Sequence, residues 1–200
     1  MSYFALKAYT VYSFKTAVAQ ASQPVAGMVW GDPLGNLTLV EFVDYRCSHC
    51  RVMNETLKQA VAGEPYVKII IRPVAWVDPK ESNDIASFVA AVARQGMGAE
   101  LHDKILSSTE PVSLNLAKKL ALEFAIDIPK AEADMKLPEV ANMAKANGRM
   151  VFDMAGRSVP FLVIGDRAYQ PQEEEDMRSV NKLRLLISEA YERKINQDTH

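Results

Sequence analysis

The sequence predicts an α/β fold: a βαβ unit, an all-helical block, then a ββα unit. Three observations carry this. Two β-branched apolar runs, residues 37–43 and 67–74, flank a single helical stretch. A long tract with helical periodicity and no strand pattern follows, through residue 156. A third apolar run, Phe161-Leu162-Val163-Ile164, is answered by Arg167-Ala168-Tyr169 across Gly165-Asp166, which reads as a hairpin with a two-residue turn.

Composition narrows the function classes. The chain has 200 residues, 48% of them hydrophobic, enough for one domain or one domain carrying an insertion. With 23 Lys+Arg against 25 Asp+Glu, the net charge of −2 gives no general reason to bind nucleic acid or an anionic membrane. The longest apolar run, residues 88–93, is far too short to cross a bilayer. Two cysteines cannot build a disulfide-dense scaffold. Both fall in Cys47-Ser48-His49-Cys50.

The elements follow in order. Residues 1–25 are an extension in which five aromatics crowd the first 14 positions. Ala19-Gln20-Ala21 has the small-x-small form of a signal-peptidase site, but Lys7 and Lys15 leave only a mildly apolar body between them. The segment reads either as a signal remnant or as a helix for docking or self-association. Gly31-Asp32-Pro33-Leu34-Gly35-Asn36 is a turn cluster at the start of the compact domain. The strand at 37–43 leads through Asp44-Tyr45-Arg46 into a helix that begins at the cysteines and closes at Gly63. With the strand at 67–74 this makes a parallel, right-handed βαβ unit.

In the helical block, Ile85, Phe88, Val89 and Val92 recur behind a Ser82/Asn83/Asp84 cap and stop at Gly96 and Gly98. Leu101, Ile105 and Leu106 form a short second piece; Ser113 opens a third, with Leu116, Leu120 and Phe124. Pro129 and Pro138 bracket a fourth, and Val140, Met143, Met150, Val151 and Met154 form a last helix ended by Gly156. After the hairpin, a C-terminal helix is expected from about Glu173 to Arg193. The acidic run at 173–176 would favour its first turn. The expected division is an extension at 1–25, one domain from 26–77 plus 157–195, and a helical insertion at 78–156.

Cys-x-x-Cys where a buried strand meets a helix is a redox signature. The first cysteine sits at unpaired backbone N–H groups and the positive end of the helix dipole, which favours thiolate. The second lies one turn on, close enough to close a disulfide. His49 would add a donor beside the sulfur, and Arg46 and Arg51 would bias the field the same way. A structural staple is a poor alternative, because so short a ring barely constrains the unfolded chain. A zinc site would need two more ligands, and His102 and His200 are distant in sequence.

Residues 39–50, Leu39-Val40-Glu41-Phe42-Val43-Asp44-Tyr45-Arg46-Cys47-Ser48-His49-Cys50, resemble the active-site strand and helix of the DsbA-like thiol–disulfide oxidoreductases. These are thioredoxin-like folds interrupted by a helical insertion. Gly31-Asp32-Pro33-Leu34-Gly35 resembles the family's lead-in, and Val159-Pro160-Phe161-Leu162-Val163-Ile164-Gly165 resembles its cis-proline strand. The likeness covers about residues 30–193. It implies Cys47 as the exposed nucleophile and Cys50 as its buried resolving partner. It implies a cis Pro160, with the backbone of Val159 pairing to an extended substrate. Glu41, six residues before Cys47, matches a buried acid that could relay the proton of Cys50. Which face of the strand Glu41 takes is not settled by alternation. His102-Asp103 resembles another family feature, where packing and hydrogen bonding are expected.

The resemblance further implies a dithiol oxidase that passes the Cys47–Cys50 disulfide to reduced or unfolded exported proteins. It would need no cofactor or metal, would be reset by a membrane redox partner, and would sit in the periplasm or another extracytoplasmic compartment. Ser48, beside the substrate, stands where many oxidases have proline, which restores an N–H at that position. Two alternatives stay open: an isomerase or reductase oligomerised through residues 1–25, and a non-enzymatic metal-binding or docking module.

Overall fold

The computed structural model describes residues 3–171 and 179–199, and the side chains from residue 11 onward. Its α1 (Tyr3–Ala21) runs into β1 (Val29–Gly31), β2 (Leu37–Val43), α2 (Ser48–Val61) and β3 (Val67–Pro73). The helical block is α3 (Pro79–Ala93), α4 (Gly98–Ser107), α5 (Leu114–Ala121), α6 (Ile128–Asp134), α7 (Pro138–Ala141) and α8 (Met143–Asp153). It is followed by β4 (Phe161–Ile164), β5 (Arg167–Tyr169) and α9 (Val180–Asp198). The strands form one sheet in the order β1-β3-β2-β4-β5. β2 and β3 are parallel, and β4 and β5 form the antiparallel hairpin. The α/β class, the βαβ unit and the hairpin stand as expected.

The sheet is covered on both sides, which is why its central strands read as unbroken apolar runs. Leu37, Leu39, Ile69, Leu162 and Ile164 face Met53 and Leu57 of α2 and Leu183 and Ile187 of α9. Val40, Phe42, Ile70 and Val163 face the other way, into a larger core shared with α1 and the helical block. Strand residues alternate between faces. Glu41, in register with Leu37 and Leu39, therefore points beneath α2, and it is buried.

Several expectations are corrected. Gly31 is the last residue of β1, which pairs antiparallel with β3; three residues are too few to show a period. α3 starts at Pro79, and its cap is Asp78, whose carboxylate accepts from Glu81 N, rather than the Ser82/Asn83/Asp84 group. Proline at the first helical turn after an aspartate is the stronger start signal. The last helix before β4 is broken at Asn142, whose side chain donates to the carbonyl of Pro138. The acidic run at 173–176 lies outside the described residues.

The extension is a helix, and its end is held on the sheet. The guanidinium of Arg72 donates to the carbonyls of Gln20, Ala21 and Gln23, while Ala17 and Ala21 are buried. The chain then passes Gly27 at φ +69°, where an added Cβ would lie 2.2 Å from the carbonyl oxygen of Ala93. Ala99 N donates to the carbonyl of Gly27 at 2.8 Å, so the backbone has nowhere to retreat. Gly27→Ala should cost about 2–4 kcal/mol, from left-handed strain plus overpacking. Urea unfolding should show a lower midpoint at unchanged slope.

Candidate active site

β2 ends at Val43, and the turn that follows is organised by Asp44, a fully buried carboxylate. It accepts from Arg46 N at 2.9 Å, Trp76 N at 2.7 Å, Val77 N at 2.9 Å and the Ser82 hydroxyl at 2.8 Å. One side chain thus ties the turn before the cysteines to the loop after β3 and to α3. The sequence reading does not anticipate this. Aspartate accepting from the N–H two residues on is nonetheless a recognised turn device.

The turn delivers Cys47 to the cap position of α2. Cys47 is 8% exposed and lines a cleft of about 270 Å3 with Tyr45, Arg46, Ser48, Arg51, Pro111 and Val112. Cys50 is fully buried one turn on. Both cysteines are free thiols here, and the Cys47 thiol donates to the carbonyl of Val159 at 3.5 Å. The Val159–Pro160 bond is cis. The sequence thus brings Cys47, Cys50, Val159 and Pro160 together from both ends of the chain.

The two thiols are unequal. Cys47 is pulled from 9.0 to about 7, first by the hydrogen bond from the Cys50 thiol and then by the N–H groups of Cys50 and His49, against the effect of burial. Cys50 is pushed well up by burial, by its bond to Cys47, and by the charge of Glu41. His49 is exposed, and its backbone N–H is among the groups that lower the Cys47 pKa. Side chains at the second position of a helix radiate outward while the N–H groups point back at the cap. Arg46 is engaged with Glu81 and donates to the carbonyl of Val112 at 3.1 Å, so its charge is shared with α3. Ser48 is exposed at the cleft.

Beneath α2, Glu41 is 1% exposed, with Oε2 3.4 Å from Nε2 of the buried His102. Nδ1 of His102 is 3.3 Å from the hydroxyl of Tyr45. Oε1 of Glu41 is buried without a hydrogen-bond partner. Asp103, also on α4, pairs with Lys58 at 2.8 Å and accepts from Asn54 at 3.2 Å. Among the described residues, no three His, Cys, Asp or Glu side chains are placed to share a metal ion.

A family model described as thioredoxin matches residues 23–181. No curated protein matches the chain. Among solved structures, the thiol-disulfide exchange protein alpha-DsbA2 from Wolbachia pipientis superposes with a TM-score of 0.73 at 21% identity, covering 90% of this chain and 94% of that one. BdbD from Bacillus subtilis gives 0.69 at 18%, covering 85% and 96%. A periplasmic thioredoxin-like protein from Salmonella enterica serovar Typhimurium gives 0.61 at 20%, covering 83% and 95%. The match to the family model takes in both cysteines, the cis-proline strand and the whole helical block, and the chain belongs to the thioredoxin family with the fold of its DsbA-like members.

Proposed function

We propose that this thioredoxin-family oxidoreductase works as a dithiol oxidase on reduced proteins in an extracytoplasmic compartment. The carrying observation is the asymmetry of the pair, one sulfur drawn toward thiolate and the other held as thiol. A substrate thiolate attacks Sγ of Cys47, the Cys47–Cys50 bond breaks, and Cys50 leaves with the electron pair and takes up a proton. The substrate's second thiolate then attacks its own sulfur in the mixed disulfide. Cys47 departs as a thiolate; the substrate is oxidised and the protein reduced. The cleft beside Cys47 offers room for an extended peptide. A membrane redox partner would remove the two electrons. The periplasmic neighbour supports the compartment, as does the general confinement of stable disulfides to oxidising compartments.

A lowered thiol pKa stabilises the reduced form and makes the disulfide a stronger oxidant. The effect depends on pH. A folded-state pKa depressed from 9.0 to about 7 is worth about 2.7 kcal/mol in full above pH 9, and is lost as pH falls through 7. At pH 7 it is only about 0.4 kcal/mol, or roughly 9 mV. The midpoint potential should therefore fall by about 60 mV per pH unit below pH 7, where two protons accompany two electrons, and by about 30 mV per unit between 7 and 9. Equilibration with a thiol buffer from pH 5.5 to 9 reads this. A single slope through that range would refute the low Cys47 pKa. A potential at pH 7 near that of thioredoxin would refute the oxidase direction.

A further inference from the structure

We propose that His102 is a positioning residue for this exchange: it accepts from Tyr45 at Nδ1, donates from Nε2 to Oε2 of Glu41, and so leaves Oε1 as the oxygen that trades a proton with Cys50. The inference rests on the exchange reading above and adds an insertion residue to it. The two nitrogens of a neutral imidazole cannot both donate, and which one carries the proton follows from what the other meets. Tyr45 is fully buried, and burial together with the charges of Glu41 and Asp44 holds its hydroxyl protonated. A hydroxyl can donate or accept whereas a carboxylate can only accept, so with Nε2 against Glu41 the consistent assignment makes the hydroxyl the donor in the Tyr45–His102 contact. Nδ1 is then the acceptor, and the proton is on Nε2, facing Glu41. The carboxyl is gripped at one oxygen only.

The other oxygen has somewhere to send a proton. Glu41 and His102 line a small cavity with Asn54, Lys58 and Asp103. Its volume of about 10 Å3 is about that of a single water. Its rim is the Lys58–Asp103 pair, partly exposed on both sides. When Cys50 leaves as a thiolate in a site that disfavours its charge, a proton passes from Glu41 to its sulfur; on reoxidation the proton returns. The charged and titratable groups around Glu41 are His102 and Asp103 from α4, Tyr45 from the turn, and Cys50 and Lys58 from α2. Trp30, Ile69 and Ile71 of β1 and β3 complete the lining without charge.

Ring-labelled 15N spectroscopy of the reduced full-length chain should find the neutral ring of His102 as the Nε2–H tautomer. The opposite tautomer would overturn the assignment. The second readout is kinetic. A chromogenic aryl thiol is loaded on Cys47 as a mixed disulfide, and its release by Cys50 is followed against pH. His102→Leu should slow release by roughly tenfold, below the hundredfold span of a lost acid–base group, and should move the profile to higher pH. His102→Gln, which keeps a donor at that place, should recover most of the rate. Tyr45→Phe, which removes one oxygen, should shift the profile the same way if His102→Leu does not fold. Unchanged profiles in His102→Leu and Tyr45→Phe would overturn the role while leaving exchange intact. Failure of the parent protein to form or resolve the mixed disulfide would instead overturn the exchange reading beneath it.

Discussion

Cys47→Ser should abolish the proposed oxidation of a reduced, unfolded substrate, with a loss of roughly a thousandfold or more, as for removal of any covalent nucleophile. Cys47 is the sulfur at the cleft, and no other described cysteine exists to replace it: Cys50 is fully buried behind it. Cys50→Ala behaves differently. It keeps the nucleophile and removes the thiol that resolves it. Offered a substrate that already carries a disulfide, the Cys47 thiolate attacks that bond, expels one substrate thiolate and stays trapped as a mixed disulfide, visible as a mass increase reversed by reductant. The same variant should raise the pH midpoint of Cys47 alkylation above 7, because the largest influence lowering its pKa is the Cys50 thiol. Full turnover in Cys47→Ser would exclude the mechanism outright. An unmoved alkylation midpoint in Cys50→Ala would shift the credit to the backbone N–H groups of His49 and Cys50.

The second large effect is on stability. Asp44→Ala strips a buried acceptor from three backbone N–H groups and one hydroxyl. Each donor left without a partner costs on the order of 1–3 kcal/mol. Some of these groups can reach water once the turn loosens, so a net loss of about 3–5 kcal/mol is expected. In a chain of this size that corresponds to a fall in melting temperature of about 6–20 °C. Asp44→Asn retains one acceptor oxygen and should recover part of the loss. The damage should extend to the cysteines, since the turn that places Cys47 hangs from this carboxylate; Cys47 alkylation should lose its midpoint near 7. A melting temperature within a degree or two of the parent would mean that the four donors find other partners.

Much of this site is legible in the sequence, for a physical reason. Cys47 and Cys50 lie within four consecutive positions at a strand–helix junction, so local structure alone places them. Pro160 and its strand are legible because a turn cluster, an apolar run and a two-residue hairpin turn lie in one short stretch. Glu41 is a different case. Both faces of β2 are apolar, so alternation says that residues 37, 39 and 41 share a side without saying which helix covers it. His102 and Tyr45 are harder still. Their contact joins residues 57 apart in sequence, and it depends on how α4 lies against the sheet, which no local pattern encodes. Asp44 could have been read from its turn signature, but the donors from residues 76, 77 and 82 could not.

The two ends of the sheet have a bearing on how such a molecule survives its own work. Among the described residues the sheet stops at β1 on one side and β5 on the other, each of three residues. A protein that handles unfolded chains meets a crowd of extended, sticky backbones, and a long open edge would recruit them as extra strands. Three residues offer too few ladder hydrogen bonds to hold such a guest. On the proposed function, contact with a client would thereby be steered away from the rim and toward the sulfur, where it would end when the second thiol closes. Lengthening either edge would turn a transient visitor into a permanent one.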